Sequence, residues 1–186
     1  MAKEAVVVSF YGGKQYYYDS AYNLAEDCKK LDIEHDFEEV KLGPDANWAD
    51  ICRYKVNYYS RKLEEYKRPI IWVDIDTRII KRPDPFLNCE SDFAAFLRNF
   101  KYFREYDPFI FARTFHPGFL FFNYTTPVRR LLEQLVELEK TSKERGTDDY
   151  FFEEAWRAHS EQLQVTLLPP KRLAWGEKLG AADAWF

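Results

Sequence analysis

The chain has 186 residues, of which 46% are apolar and only seven are glycine, which fits one domain with a real core and excludes disorder and fibrous repeats. Its net charge of −4 leaves no basic footprint for nucleic acid. Aromatic residues reach 18%, so nucleobase or sugar stacking is admitted but not required.

The first buried strand is predicted over Ala5 to Phe10 and stops at Gly12-Gly13. Asp19 or Ser20 would cap a helix with Ala21, Leu24, Ala25, Cys28 and Leu31 on its apolar face. A second strand follows over His35 to Val40, broken by Gly43-Pro44. Helical spacing of Ile51, Lys55, Tyr58, Tyr59 and Leu63 predicts a helix from Trp48 to Tyr66, closed off by Pro69. The run Pro69-Ile70-Ile71-Trp72-Val73 is a strand buried on both faces. Strands alternating with helices argue for a parallel sheet. After Pro83-Asp84-Pro85 the pattern changes to shorter strands at Asp92 to Leu97, Phe109 to Thr114 and Phe119 to Asn123. Helices are expected over Pro127 to Lys140 and Thr147 to His159, then a strand at Val165 to Leu168. Lys171 to Phe186 reads as a tail packed by its tryptophans.

Cys28, Cys52 and Cys89 are dispersed and show no zinc spacing, which predicts reduced structural thiols. Apolar stretches such as Phe119 to Phe122 are far too short to span a bilayer, and Met1-Ala2-Lys3-Glu4 before a strand is no signal peptide. A soluble, cytoplasmic protein without a membrane span is the expectation.

The chemistry concentrates at Asp74-Ile75-Asp76, directly after the buried strand. If the backbone stays extended there, both carboxylates point to one side. Ligands of open α/β sheets bind beyond the carboxyl ends of the strands. Hard cations such as Mg²⁺ or Mn²⁺ take one or two carboxylates plus substrate phosphates, so the pair suits an incomplete metal cage. The alternative is a turn whose carboxylates cap a helix.

Lys67 to Ile80, with Pro83-Asp-Pro-Phe-Leu87 after it, resembles the Asp-x-Asp segment of GT-A glycosyltransferases. His116-Pro-Gly-Phe-Leu-Phe-Phe-Asn123 resembles their strand beside the donor sugar, and Thr147-Asp-Asp-Tyr150 the acidic pair that opens a later helix. The resemblance runs from about residue 5 to 170. It implies a mixed, mostly parallel Rossmann-like sheet flanked by helices. The nucleotide-binding half would cover about residues 1–85 and the donor-sugar and acceptor half about 86–170. It further implies a UDP-sugar donor, commonly a UDP-hexose such as UDP-glucose, an unknown acceptor, and Mn²⁺ or Mg²⁺.

By the same resemblance, Asp76 is the main metal ligand and Asp74 contacts the ribose, or the metal through water. Ser9, Tyr11, Lys55, Ile75, Gly118 and Asn123 are the remaining nucleotide or donor contacts. Asp148 or Asp149 orients a sugar or acceptor hydroxyl, or acts as general base. Each has a plainer reading. Ser9 and Tyr11 are ordinary strand-end residues, Gly118 permits a bend, and Asp148 and Asp149 cap a helix. Lys55 and Arg53 sit on a solvated helix face, and Arg78, Arg98 and Arg113 make surface ion pairs. The late His that supplies a third metal ligand in many relatives is missing, with His116 and His159 as substitutes. Two other classes compete: a binding module of the same fold without transfer, and a HAD-type phosphatase. The phosphatase is disfavoured by Arg78 and by the strand–helix units ahead of the motif.

Overall fold

The structure is a computed structural model that describes residues 4–41, 43, 47–97, 114–143, 146–169, 172–173 and 184–186. The six described strands are β1 (Val6–Tyr11), β2 (His35–Glu39), β3 (Ile70–Val73), β4 (Phe93–Leu97), β5 (Phe115–Phe122) and β6 (Val165–Leu168). They form one sheet in the order β2-β1-β3-β5-β4-β6. β1 pairs in parallel with β2 and β3, and β4 with β6, while β5 runs antiparallel between β3 and β4. Both halves named from the sequence thus share one mixed, mostly parallel sheet.

Alternation along the strands sorts side chains onto two faces. Val6, Val8 and Phe10 of β1 join Ile70 and Trp72 in one core with α2 (Trp48–Tyr66), α4 (Thr126–Thr141) and α5 (Asp148–His159). Ala5 and Val7 join Ile71 and Val73 in the other, with α1 (Gln15–Lys30) and α3 (Asp84–Leu87). Full burial of β1 and β3 on both faces is why they read as unbroken apolar runs. The predicted tail packing holds for its end: Trp185 and Phe186 are buried, the Trp185 carbonyl accepts from the Ile80 amide, and Arg172 lies over the Trp185 ring.

Three expectations need correction. α1 begins at Gln15, not at Asp19 or Ser20, with Lys14 as a purely backbone cap. Nothing in Tyr16-Tyr17-Tyr18 resists a helix once Gly12-Gly13 has ended β1. Pro83-Asp-Pro-Phe-Leu87, for which no element was predicted, forms the short α3, with proline in its first turn, where a missing N–H costs nothing. β5 starts at Phe115, not Phe119, because His116-Pro117 is carried through a pairing irregularity between Ala95 and Leu97 of β4. The third is the extended backbone at Asp74, treated below. The strand expected at Phe109 to Thr114, and with it Arg98 and Arg113, falls outside the described residues apart from Thr114. So does Trp175 of the tail.

Candidate functional site

The parallel ladder between β1 and β3 ends at Val8 and Trp72. One step on, the Ser9 hydroxyl donates to the Val73 carbonyl at 2.7 Å, and the Ser9 carbonyl accepts from the Tyr58 hydroxyl at 2.5 Å. Beyond this tie the two chains part around a cavity of about 170 Å³. Its walls include Phe10, Tyr11, Gly12 and Tyr17 on one side, and Cys52, Lys55, Trp72, Asp74, Ile75 and Asp76 on the other. Gly12 has no room for a side chain, since a Cβ would lie 2.3 Å from the Val40 carbonyl oxygen. The cavity opens at the carboxyl ends of β1 and β3, where ligands of open α/β sheets bind.

Asp74 is where β3 lets go. Its amide donates to the Gly118 carbonyl on β5, and its own carbonyl accepts from the Thr77 amide, so Ile75 and Asp76 form a turn. The two carboxylates therefore do not share a side by strand alternation. The turn brings them to one cavity instead, with Ile75 buried between them and Asp76 exposed.

The Lys55 ammonium donates to Asp74 Oδ1 at 2.8 Å and lies 3.6 Å from Asp148 Oδ2, with its side chain 13% exposed. Trp72 Nε1 also donates to Asp74 Oδ1, at 3.3 Å, and the ammonium stands 5.3 Å from the Trp72 ring centre. Burial works to neutralise Lys55, but the carboxylates of Asp74 and Asp148 outweigh it and hold the lysine charged, above its ordinary range. Asp74 Oδ2 lies 2.7 Å from the point where a Cβ on Gly118 would sit, and the His116 ring flanks that same point. Gly118 is thus required by close approach to the carboxylate.

Asp148 opens α5 but is no mere cap. It is 5% exposed, and burial pushes its pKa up, with Lys55 opposing and Asp74 and Asp149 reinforcing the shift. The Tyr59 hydroxyl approaches it at 3.5 Å, and the Cys52 thiol hydrogen-bonds it. Burial, then the Asp148 charge, pushes that thiol up to about 12, so Cys52 is a protonated donor and no nucleophile. On its other side Asp148 borders a second cavity of about 10 Å³, room for about one water, shared with Asp149, Pro117 and Glu153. Asp149 is less buried and accepts from the Thr147 hydroxyl.

The structure thus brings together Tyr11, Lys55, Asp74, Ile75, Asp76, Gly118 and Asp148, with Asp149 adjoining. Two expected contacts fall away. Ser9 is fully buried and spends its hydroxyl on Val73. Asn123 lies past the opposite end of β5 from Gly118, where its side-chain amide donates to the Ser91 carbonyl. The substitute histidines do not complete a cage either. His116 Nδ1 accepts from the Gly118 amide, and His159 lies about 16 Å along α5 from Asp148. Arg53 is bound to Glu139 and Arg78 to Asp27. Cys52, Tyr59, Trp72 and Tyr17 were missed. Cys52 and Tyr59 stand three and four residues from Lys55 on one helix face, a spacing visible in the sequence.

Among the described residues no set of three His, Cys, Asp or Glu side chains is placed to hold a metal ion. Asp74 and Asp76 alone fit an open cage of hard oxygen donors whose other ligands come from a substrate.

No protein-family model matches the chain, and no curated protein matches it by sequence. Solved structures do match. A glycosyltransferase involved in glycosylating the major capsid of PBCV-1 superposes with a TM-score of 0.62 at 10% identity, over 91% of this chain and 83% of that one. The glycosyltransferase GlyE of Streptococcus pneumoniae TIGR4 gives 0.56 at 13% identity, over 92% of this chain but only 46% of GlyE. Mouse xyloside xylosyltransferase 1 gives 0.51 at 14% identity, over 100% of this chain and 94% of that one. The chain therefore has the GT-A-like fold of these glycosyltransferases and spans less than half of GlyE. No described helix is long and apolar enough to cross a membrane.

Proposed function

We propose that the chain is a metal-dependent glycosyltransferase that takes a sugar from a UDP-hexose such as UDP-glucose. The observation that carries this reading is the gathering of Asp74, Asp76 and Lys55 in one aromatic-walled cavity at the carboxyl ends of β1 and β3, on a fold shared with glycosyltransferases. Tyr11 and Tyr17 offer faces on which a flat base can stack. Lys55 supplies a fixed positive charge for the diphosphate. Asp74 and Asp76 would hold Mn²⁺ or Mg²⁺, which when bound offsets charge on the departing diphosphate. Gly118, by lacking a Cβ, lets the Asp74 carboxylate sit against β5 beside the cavity. Asp148 stands behind Lys55, with Asp149 beside it, and would orient an acceptor hydroxyl or take its proton. The acceptor is not specified by these contacts. Three free cysteines, two of them buried, favour a cytoplasmic location.

Because metal and diphosphate share a site, UDP near 100 times its Kd should stabilise the protein by about 2.7 kcal/mol, roughly 5–10 °C in melting temperature, only when Mn²⁺ is present. Asp76→Ala should remove that shift. A protein whose melting temperature ignores every nucleoside diphosphate, with and without Mn²⁺, is not this enzyme.

A further inference from the structure

Lys55 stands between two carboxylates rather than on one. Its ammonium is 2.8 Å from Asp74 Oδ1 and 3.6 Å from Asp148 Oδ2, in a site where its side chain is only 13% exposed. Asp74 itself is 36% exposed, but direct contact at 2.8 Å lets the ammonium neutralise the carboxylate that a metal ion needs. A divalent cation arriving alone at Asp74 would sit beside that ammonium and be repelled by it. Asp76, being exposed, offers only a well-screened attraction in return. Asp148 is the second place for the ammonium to go. It is buried, it is within the reach of a flexible four-carbon stem, and Tyr59 and Cys52 donors keep it in position. A diphosphate changes the balance, because its oxygens can accept both cations at once.

We propose that Lys55 guards Asp74 against a lone divalent cation and yields the carboxylate only when a nucleoside diphosphate arrives, its ammonium shifting toward Asp148 and the phosphates. This rests on the metal and diphosphate reading above and adds an order to it: metal binds weakly alone and tightly with nucleotide. The coupling is reciprocal, so the nucleotide also binds weakly without metal. The guard acts on binding and needs no turnover to be seen.

Free Mn²⁺, measured by the loss of its aqueous electron paramagnetic resonance signal, tests this on the full chain with UDP present or absent. Wild type should bind Mn²⁺ at least tenfold more tightly with UDP than without. Lys55→Met and Lys55→Gln should bind Mn²⁺ alone at least tenfold more tightly than wild type, and UDP should then improve binding by less than about threefold. Asp148→Asn, which removes the second resting place, should weaken Mn²⁺ binding in the presence of UDP at least threefold. Far-UV circular dichroism matched to wild type shows that each variant is folded, and Asp148→Asn alone decides the matter if neither Lys55 variant folds. Joint Mn²⁺–UDP binding that these substitutions leave unchanged overturns the guard but spares the donor site. No Mn²⁺ binding in any protein, with or without UDP, overturns both.

Discussion

Helix α2 carries two lysines two turns apart, Lys55 and Lys62, and they are satisfied in opposite ways. Lys62 is 4% exposed and meets Asp36 at 2.5 Å, Glu65 at 3.2 Å and Glu38 at 3.3 Å. Tyr66 donates to the same Asp36 oxygen at 2.8 Å. Burial works against the Asp36 carboxylate, yet the hydrogen bonds from Lys62 and Tyr66 outweigh it and hold its pKa below the ordinary range. At Lys55 the sign reverses. Burial wins at Asp148 and its pKa is raised, with one ammonium left to serve two carboxylates beside a cavity. The lower cluster gathers carboxylates around one lysine and ties the edge strand β2 to α2, whereas the upper one shares a single ammonium between Asp74 and Asp148 beside the cavity. Such a perturbed carboxylate beside a cavity is the arrangement expected of a candidate site, whereas the Lys62 cluster is that of a structural ion pair.

Substitutions should separate the two clusters. Lys62→Met leaves Asp36 without its cation and should cost about 2 kcal/mol, seen as a melting temperature lower by roughly 4–8 °C, while UDP still binds with Mn²⁺. Were UDP binding lost with the fold intact, the lower cluster would belong to the site. Gly118→Ala drives a Cβ into Asp74 Oδ2, whose partner oxygen is held by Lys55 and Trp72. It should weaken UDP binding in Mn²⁺ about tenfold, or 1.4 kcal/mol, by calorimetry. An unaffected affinity would show that the Asp74 carboxylate position is immaterial.

Asp148→Asn gives the smallest effect and the most diagnostic sign. The folded pKa of Asp148 lies above its unfolded value, so the native state holds that proton more tightly. Stability is therefore lost as pH rises from the unfolded value through the folded one. Replacing the carboxylate should raise the melting temperature at pH 7, with the difference shrinking as pH falls toward the ordinary carboxylate range. A fall at pH 7 would mean that Asp148 is a stabilising partner of Lys55, as Asp36 is of Lys62.

The fold was legible where burial was simple. β1 and β3, covered on both faces, show as apolar runs, and α2 and β6 match their predicted bounds because their spacing is regular and their flanks are broken by proline. The antiparallel insertion of β5 between β3 and β4 was not, since pairing partners leave no trace in one strand's own pattern. The site divides similarly. Asp74 and Asp76 stood out because they follow a buried strand, although a turn and not strand alternation brings them together. Asp148 looked like a helix cap, and three of the six strands separate it in sequence from Lys55. Ser9 and Asn123 resembled ligand contacts because position in a motif cannot show that a polar group is already satisfied by backbone.

The central claim is that the Asp74, Asp76 and Lys55 cavity cleaves a nucleotide sugar. Release of UDP from a panel of UDP-hexoses in Mn²⁺, with and without candidate acceptors, measures it most directly. At least one donor should yield UDP with wild type and at least 100-fold less with Asp76→Ala. Tight UDP binding with no release from any donor would make the chain a binding module of this fold, and equal release by Asp76→Ala would remove the motif from the chemistry.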